Sequence, residues 1–253
     1  MDRDELLRDW LLEEARPFTG WDFSYLDGRM IQDEHPWSYL TRAAELMRRS
    51  TSVIDLDTGG GERFLSLREH WPAKVVATEE YPPNFALATQ RLTPHGAQVV
   101  SVHLTDTDPM PFGDGEFDLV LNRHAAFNPA EVGRILAPGG TFLTQQVHGM
   151  WAWDLEAVFD ARPQWPDASP EKYVPRLKAA GLEIVTEQTW KGKLTFTDVG
   201  AIVYYLKAVP WLAPGFSVET HRRGLFALQD RLDAGEPLAF TAALYLIEAR
   251  KPQ

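Results

Sequence analysis

The sequence predicts an α/β fold, a mostly parallel sheet of seven strands with helices on both faces, from three observations. Short apolar runs alternate with helical patterns between residues 51 and 147, a spacing typical of parallel strands joined by helices. The first apolar run, residues 52–56, stops just before the glycines at 59–61, as a strand does when it turns sharply into a helix. The 253 residues are 44% apolar and 24% charged, which suits one such domain with an insertion, or two small domains.

The predicted elements follow in the order that such a sheet needs. Apolar stripes in the first 14 residues and over 36–47 predict two N-terminal helices. Asn128 and Pro129 start a later helix as its cap and first-turn proline. Right-handed crossovers make the first five strands parallel. Strands are predicted at 52–56, 74–79, 98–103, 117–122, 141–147, 182–189 and 240–249, with helices at 62–70, 84–92 and 128–137.

Four segments are expected along the chain: an N-terminal helical cap (1–50), a core (51–190), a lid insertion (191–237) and a final core strand (238–253). Among the nine tryptophans, six that lie outside the five-strand pattern are candidates for packing or for lining a pocket. We interpret most of them as packing between lid and core, and one or two as lining an apolar pocket. They are Trp21, Trp37, Trp151, Trp153, Trp190 and Trp211.

Composition excludes several classes of protein. The chain has no cysteine, so it has no disulfide scaffold, thiolate metal site or cysteine nucleophile, and we expect no metal site. The formal charge of −11 disfavours a nonspecific nucleic-acid binder. The acidic start predicts no signal peptide, and no apolar stretch approaches the ~20 residues of a membrane span. We therefore expect a cytoplasmic protein without membrane association.

The glycine run and an acidic residue about 20 positions later suggest a nucleotide site. Glycines after Asp55 let the backbone turn and approach a ligand closely. Glu79 ends the second predicted strand, where nucleotide-binding folds place a carboxylate for ribose hydroxyls. Together these features predict an adenosine-containing ligand at the carboxyl edge of the sheet. The alternative interpretation is a tight turn and a solvated glutamate.

Two common nucleotide sites fit poorly. The dinucleotide fingerprint needs a third glycine three residues after Gly61, and that position is Phe64. A triphosphate-binding loop needs Gly-Lys followed by Ser or Thr, which the glycine run does not supply. An NAD-dependent oxidoreductase is therefore a third-ranked interpretation.

The chain resembles the class I S-adenosylmethionine-dependent methyltransferases, with a Rossmann-like core, over roughly residues 53–147. Residues 53–62, Val-Ile-Asp-Leu-Asp-Thr-Gly-Gly-Gly-Glu, resemble the first motif of that family. Residues 111–120, Pro-Phe-Gly-Asp-Gly-Glu-Phe-Asp-Leu-Val, resemble its fourth-strand signature, and residues 131–140 resemble its approach to the fifth strand. Three motifs in order are far more specific than a glycine loop alone. The resemblance also implies that the final strand is antiparallel.

The resemblance implies S-adenosylmethionine as the cofactor and indicates which residues would bind each part of it. Glu79 would bind the ribose hydroxyls, and Asn122 would border the methyl group. Asp106 and Thr107 would contact the adenine, because they precede Pro111 at the place of the family's adenine-contacting loop.

One residue departs from the family motif at the methionine end of the cofactor. Asp55, Gly59 and Gly61 would lie there, but Asp57 stands where the family has its first loop glycine. If that position needs φ > 0, aspartate tolerates it better than most residues, at a cost. The carboxylate of Asp57 could meet the amino group of the methionine moiety, or it could cap the turn.

The sequence says less about the residues that would bind the methyl acceptor. The cofactor carries the reactive methyl group, so a general base is needed only if the acceptor loses a proton. His124 and His148, after the fourth and fifth predicted strands, are candidate catalytic residues because histidine titrates near neutral pH. Either could instead bond within its loop. Residues 122–125 read Asn-Arg-His-Ala, so the Asn-Pro-Pro-Tyr motif of amino-group methyltransferases is absent.

A small molecule is the expected methyl acceptor. An RNA methyltransferase is disfavoured by the net negative charge and by the lack of an appended RNA-binding module. A cofactor-binding protein without catalysis is the second alternative, and Asp57 is the residue that supports it.

Overall fold

The computed structural model describes residues 2–253. Within them the strands form one sheet of eight, in the order β1-β7-β8-β6-β5-β2-β3-β4. The strands are β1 (Met30–Gln32), β2 (Ser52–Leu56), β3 (Lys74–Thr78), β4 (Gln98–Val100), β5 (Phe117–Arg123), β6 (Leu136–Val147), β7 (Glu183–Phe196) and β8 (Leu238–Arg250). The helices are α1 (Arg3–Glu14), α2 (Tyr39–Met47), α3 (Glu62–Leu65), α4 (Pro82–Leu92), α5 (Pro129–Ile135), α6 (Trp153–Glu156), α7 (Pro170–Ala179), α8 (Val199–Ala208) and α9 (Val218–Asp233).

The chain divides into two compact units, and the boundaries of these units differ from those of the four predicted segments. The core unit holds Pro36–Val147, Asp167–Thr189 and Leu244–Gln253. The second unit holds His148–Pro166 and Trp190–Ala243 together with residues 2–35. The predicted cap, core and lid boundaries remain predictions, although α2 packs within the core unit.

In the core unit, alternate residues of each strand support opposite faces of the sheet. Val53 and Leu119 pack in one apolar cluster with α2 and α4, whereas Ile54 and Val120 pack in another with α5 and α7. This alternation follows from the period of two residues in a strand. Strands β2, β3, β4, β5 and β6 pair in parallel, and β8 pairs antiparallel to β6, as predicted for the final strand.

The second unit has a separate apolar core. Nearly every residue of α8 is buried, and its side chains share one cluster with Trp10 of α1 and Leu225 of α9. The cluster also includes Phe196 near the end of β7 and Phe240 of β8. Within residues 2–253, the structure contains no helix with the length and apolar character of a membrane span.

The strand prediction needs three corrections. The sheet has eight strands rather than seven, because the three residues of β1 pair antiparallel with 194–196. That pairing also extends β7 to Phe196, seven residues beyond the predicted end at Thr189. Conversely, β4 ends at Val100 rather than at residue 103, because its partner strand β3 ends opposite it at Thr78.

Candidate functional site

Three adjacent parallel strands place polar residues at one edge of the core unit. Asp55 lies opposite Ala77 of β3, and Leu56 lies opposite Asn122 of β5. Glu79 follows β3 directly, and its backbone N–H donates to the carbonyl of Val100 (3.2 Å). Since the carboxyl ends of β2, β3 and β5 share this edge, the structure brings together Asp55, Glu79 and Asn122.

The loop after β2 needs left-handed backbone at three positions. Asp57 has φ +58°, Gly59 has φ +63° and Gly61 has φ +82°. Two hydrogen bonds to Thr78 fix the loop against β3. The N–H of Asp57 donates to the Thr78 hydroxyl (2.9 Å), and the N–H of Thr58 donates to its carbonyl (2.8 Å). Asp57 therefore occupies a conformation that favours glycine, as the family motif implies.

The far side of the glycine loop packs on α4. The Arg91 guanidinium donates to the carbonyl of Gly60 (2.8 Å) and pairs with the Glu62 carboxylate. A Cβ on Gly61 would lie 3.0 Å from Leu92. These contacts pack Gly60 and Gly61 at the end of the loop against α4. A ligand would therefore contact the side of the loop that carries Asp57 and Gly59.

Glu79 is a buried carboxyl, with 2% of its surface exposed. One of its oxygens accepts the backbone N–H of Tyr81 (2.8 Å). Burial, and after it the nearby charge of Asp57, together raise the pKa of Glu79 to about 7. Burial also raises the pKa of Asp57, whose carboxyl bonds that of Glu79. The two carboxyls thus face each other at the predicted ribose position and compete for a proton.

Replacing Asp57 by asparagine tests this interaction. Asparagine tolerates φ > 0 and has a similar shape, so the loop should keep its conformation. Removing the neighbouring charge should lower the pKa of Glu79, which carbon-detected NMR of the glutamate carboxyls measures.

The same change alters stability in a defined direction. Folded Glu79 binds its proton more tightly than an unfolded glutamate of pKa 4.5, so its contribution to stability falls as the pH rises from 4.5 through about 7. In Asp57→Asn this loss should be smaller. Glu80→Gln, a change at the exposed neighbour, is the control for a general charge effect. An unchanged or higher pKa of Glu79 in Asp57→Asn contradicts the interaction.

Sequence reasoning missed two groups beside Asp55. The Tyr39 hydroxyl is buried near Asp55, and its oxygen has no hydrogen-bond partner of ordinary geometry among residues 2–253. Arg123 is at the end of β5, and burial is the main cause that lowers its pKa. Its guanidinium also interacts electrostatically with Tyr39 and Asp55. Burial raises the pKa of Asp55 to about 7, a rise that Thr58 and Arg123 oppose. No sequence motif indicates that Tyr39 and Arg123 belong to this site, because both are far along the chain from the glycine run.

Asn122 lies in a closed polar network. Its side-chain oxygen accepts from the Thr144 hydroxyl (2.9 Å) and from the Gln146 amide, and its nitrogen donates to the carbonyl of Leu56 (3.5 Å). All three side chains of the network are buried. The side chain of Asn122 therefore holds β2, β5 and β6 in register at the predicted methyl position.

The predicted adenine residues lie in the irregular segment after β4. The Asp106 carboxylate pairs with Arg176 of α7 (2.9 Å), which lowers the pKa of Asp106. Thr107 is exposed, and its N–H donates to the Thr105 hydroxyl (3.2 Å). The adenine contact of both residues stays a prediction.

The two predicted catalytic histidines lie in different units. His124 is exposed, has φ +57° and bonds the Gln145 amide through Nε2 (3.1 Å). Gln145 in turn accepts the indole N–H of Trp37 (2.8 Å). In the second unit, the Nδ1 of His148 accepts the backbone N–H of Met150 (3.1 Å). Both rings have partners within their own units, and their catalytic roles stay predictions.

Comparison with known sequences identifies a domain at this site. Residues 54–144 match the family model described as a methyltransferase domain. The chain is 36% identical over 96 residues to the demethylmenaquinone methyltransferase of Thermus thermophilus, covering 35% of this chain and 43% of that protein. It is 28% identical over 137 residues to the ubiquinone/menaquinone biosynthesis C-methyltransferase of Laribacter hongkongensis, covering 49% and 54%. The chain thus spans about half the length of these relatives.

Solved structures share the fold at low sequence identity. A protein of unknown function from Deinococcus radiodurans aligns with a TM-score of 0.60 and 16% identity, covering 98% of both chains. The YcgJ protein of Bacillus subtilis aligns with a TM-score of 0.59 and 16% identity, covering 85% of this chain and 98% of that one. These likenesses establish the fold alone.

Proposed function

We propose that this chain, in which residues 54–144 form a class I S-adenosylmethionine-dependent methyltransferase domain, transfers the methyl group of that cofactor to a small-molecule acceptor. The observation that carries the proposal is the buried carboxyl of Glu79 at the carboxyl edge of the sheet, one strand from the glycine loop. A buried carboxyl is costly unless it meets a hydrogen-bond donor. The two hydroxyls of a ribose supply such donors.

The donors and acceptors around this edge fit the cofactor. The buried Tyr39 and Thr58 hydroxyls both lie beside the carboxyl of Asp55, so they add hydrogen-bonding groups to this edge of the sheet. Asp55 of β2 and Asp57 of the loop that follows it add carboxyls, which suits the ammonium group of the methionine moiety. This set of groups supports binding of a ligand that is cationic at one end and carries a ribose at the other.

When bound, S-adenosylmethionine supplies an electrophilic methyl group. The residues of this chain then have two tasks. Glu79 holds the ribose, and the network around Asn122 keeps the strand ends rigid. Fixing the donor in place lowers the barrier mainly through orientation.

A small-molecule acceptor is favoured over RNA. The formal charge of −11 opposes the phosphate contacts that dominate RNA binding. Of the curated relatives, one is named a demethylmenaquinone methyltransferase and another a ubiquinone/menaquinone biosynthesis C-methyltransferase. Reduced quinones are therefore the first class of methyl acceptor to test with the protein.

Calorimetry followed by a transfer assay tests the proposal. We expect heat on titration with S-adenosylmethionine and with its demethylated product, and transfer of a labelled methyl group to a reduced naphthoquinone. Absence of binding for both nucleosides contradicts the proposal. Binding without transfer to any offered acceptor favours the non-catalytic alternative.

A further inference from the structure

One half-buried arginine of the core unit differs from the others in having no partner. Arg123 makes no hydrogen bond or ion pair with any of residues 2–253. Every other half-buried arginine of this unit bonds a carboxylate: Arg42 bonds Glu248, Arg91 bonds Glu62, Arg134 bonds Glu131 and Arg176 bonds Asp106. Since a desolvated guanidinium is costly without a counter-ion, Arg123 is a candidate for binding an anionic ligand.

The strand register fixes the position of Arg123 at the candidate site. Arg123 is the last residue of β5 and lies directly opposite Gln145 of β6. Asp55 of β2 lies opposite Leu121, two residues before Arg123. Because alternate residues of a strand share a face, Arg123 lies on the same face of the sheet as Leu121, at the carboxyl edge. It therefore lies between Asp55 on one neighbouring strand and Gln145 on the other, and all of these residues belong to the core unit.

The charges around Arg123 leave it without a direct counter-ion. Asp55 interacts with the guanidinium electrostatically but makes no ion pair with it, and burial raises the pKa of Asp55 to about 7. Arg63, an exposed arginine of α3, adds a second positive charge that opposes that of Arg123. A guanidinium stays protonated in proteins, so it cannot relieve this cost by losing its proton. A bound anion would relieve it, and a half-buried side chain is within reach of one.

The order of the strand ends favours the methyl acceptor as the source of that anion. Glu79 follows β3 and is the proposed ribose ligand, and the loop with Asp57 follows β2 at the proposed amino-acid end. The ends of β5 and β6, on the other side of Asn122, are then left for the acceptor. There the indole N–H of Trp37 donates to the side-chain oxygen of Gln145 (2.8 Å), so an aromatic ring and the Arg123 guanidinium flank the same amide.

We propose that Arg123 binds the carboxylate of an acidic methyl acceptor. This inference rests on the proposed function, because it assigns the recognition of the acceptor. It narrows the acceptor from small molecules in general to molecules that carry a carboxylate, and it names the residue that selects them. A planar guanidinium can donate two parallel N–H groups to one carboxylate, and such charge-assisted bonds are stronger than neutral ones.

Binding of 1-hydroxy-2-naphthoate and 1-hydroxy-2-naphthamide to the full chain tests the subsite without the transfer reaction. The two probes share their rings and hydroxyl, and they differ in that the first carries a carboxylate and the second a neutral amide. We expect the acid to bind at least about 10-fold more tightly in calorimetric titrations at pH 8, with and without S-adenosylhomocysteine. Equal affinities, tighter binding of the amide, or no binding of the acid at millimolar concentration contradict the subsite.

Variants of Arg123 separate recognition from folding. Arg123→Gln should weaken binding of the acid about 10-fold and leave that of the amide unchanged, so that the preference disappears. Arg123→Lys should keep part of the preference, because it retains the charge but not the paired donors. Arg49→Gln makes the same change of charge at an exposed arginine and should keep the full preference. Equal weakening of both probes in Arg123→Gln would indicate a structural role and contradict the subsite.

Titration with S-adenosylhomocysteine keeps this inference distinguishable from the proposed function. Its affinity should be the same for Arg123→Gln as for the unaltered chain. If Arg123→Gln instead weakens the nucleoside and leaves the preference for the acid unchanged, then Arg123 binds the amino-acid carboxylate of the cofactor, and the acceptor subsite is contradicted. Failure of the unaltered chain to bind S-adenosylmethionine or its demethylated product overturns the proposed function, whereas the two naphthalene probes still decide whether Arg123 selects a carboxylate.

Discussion

Glu79→Ala is expected to weaken the binding of S-adenosylmethionine by about 1–3 kcal/mol, or roughly 5- to 150-fold, through lost charged hydrogen bonds. Alanine removes the carboxylate that the ribose hydroxyls would bond. Calorimetric titration at pH 8 measures the effect, because the pKa of Glu79 is about 7 and the carboxyl is mostly ionised there.

The neighbouring glutamate provides the control for this prediction. Glu80 is exposed and pairs with His103 rather than with the loop, so Glu80→Ala should leave the affinity unchanged. In the unaltered chain, the affinity should rise between pH 6 and pH 8 as Glu79 ionises, and Glu79→Gln should flatten that rise. Equal affinities of Glu79→Ala and the unaltered chain would mean that the ribose lies elsewhere.

Arg42→Ala is expected to lower the free energy of unfolding by about 3 kcal/mol. Arg42 of α2 makes two hydrogen bonds of 2.7 Å to Glu248 of β8, whose side chain is 7% exposed. Removing the arginine leaves a buried carboxylate without its partner. Urea denaturation of the purified chain measures the loss.

A second substitution isolates the cause of that loss. Arg42→Ala combined with Glu248→Leu should regain most of the stability, because no buried charge remains. Arg49→Ala, at an exposed arginine just beyond α2, should change stability by less than about 0.5 kcal/mol. A double variant no more stable than Arg42→Ala alone would show that the loss comes from packing of the arginine rather than from the unpaired carboxylate.

Local sequence patterns predicted the core unit well because its strands are buried on both faces. The sequences of β2 and β5 are mostly apolar and are bounded by turn residues, and the position of Glu79 follows from its spacing and from its place at the end of the second predicted strand. By contrast, β1 has three residues, two of them exposed, so no pattern marks it. The extension of β7 depends on pairing with β1, a contact between residues about 160 positions apart.

The site was predictable only where a motif covers it. The φ of Asp57 follows from its place in the glycine loop, because that turn needs left-handed backbone. Tyr39 and Arg123 belong to the same edge through tertiary packing, which no local spacing encodes. The same holds for Glu156, since only the folded structure shows that its Oε2 atom is buried with no hydrogen-bond partner among residues 2–253.

A crystal structure with S-adenosylhomocysteine would test most directly whether a sulfonium nucleoside binds at this edge of the sheet. We expect the ribose hydroxyl oxygens to lie roughly 2.5–3.0 Å from the Glu79 carboxylate, and the amino-acid moiety to lie against the loop that carries Asp57 and Gly59. A nucleoside bound away from Glu79, or an edge filled by the side chains of the protein itself, would contradict the account.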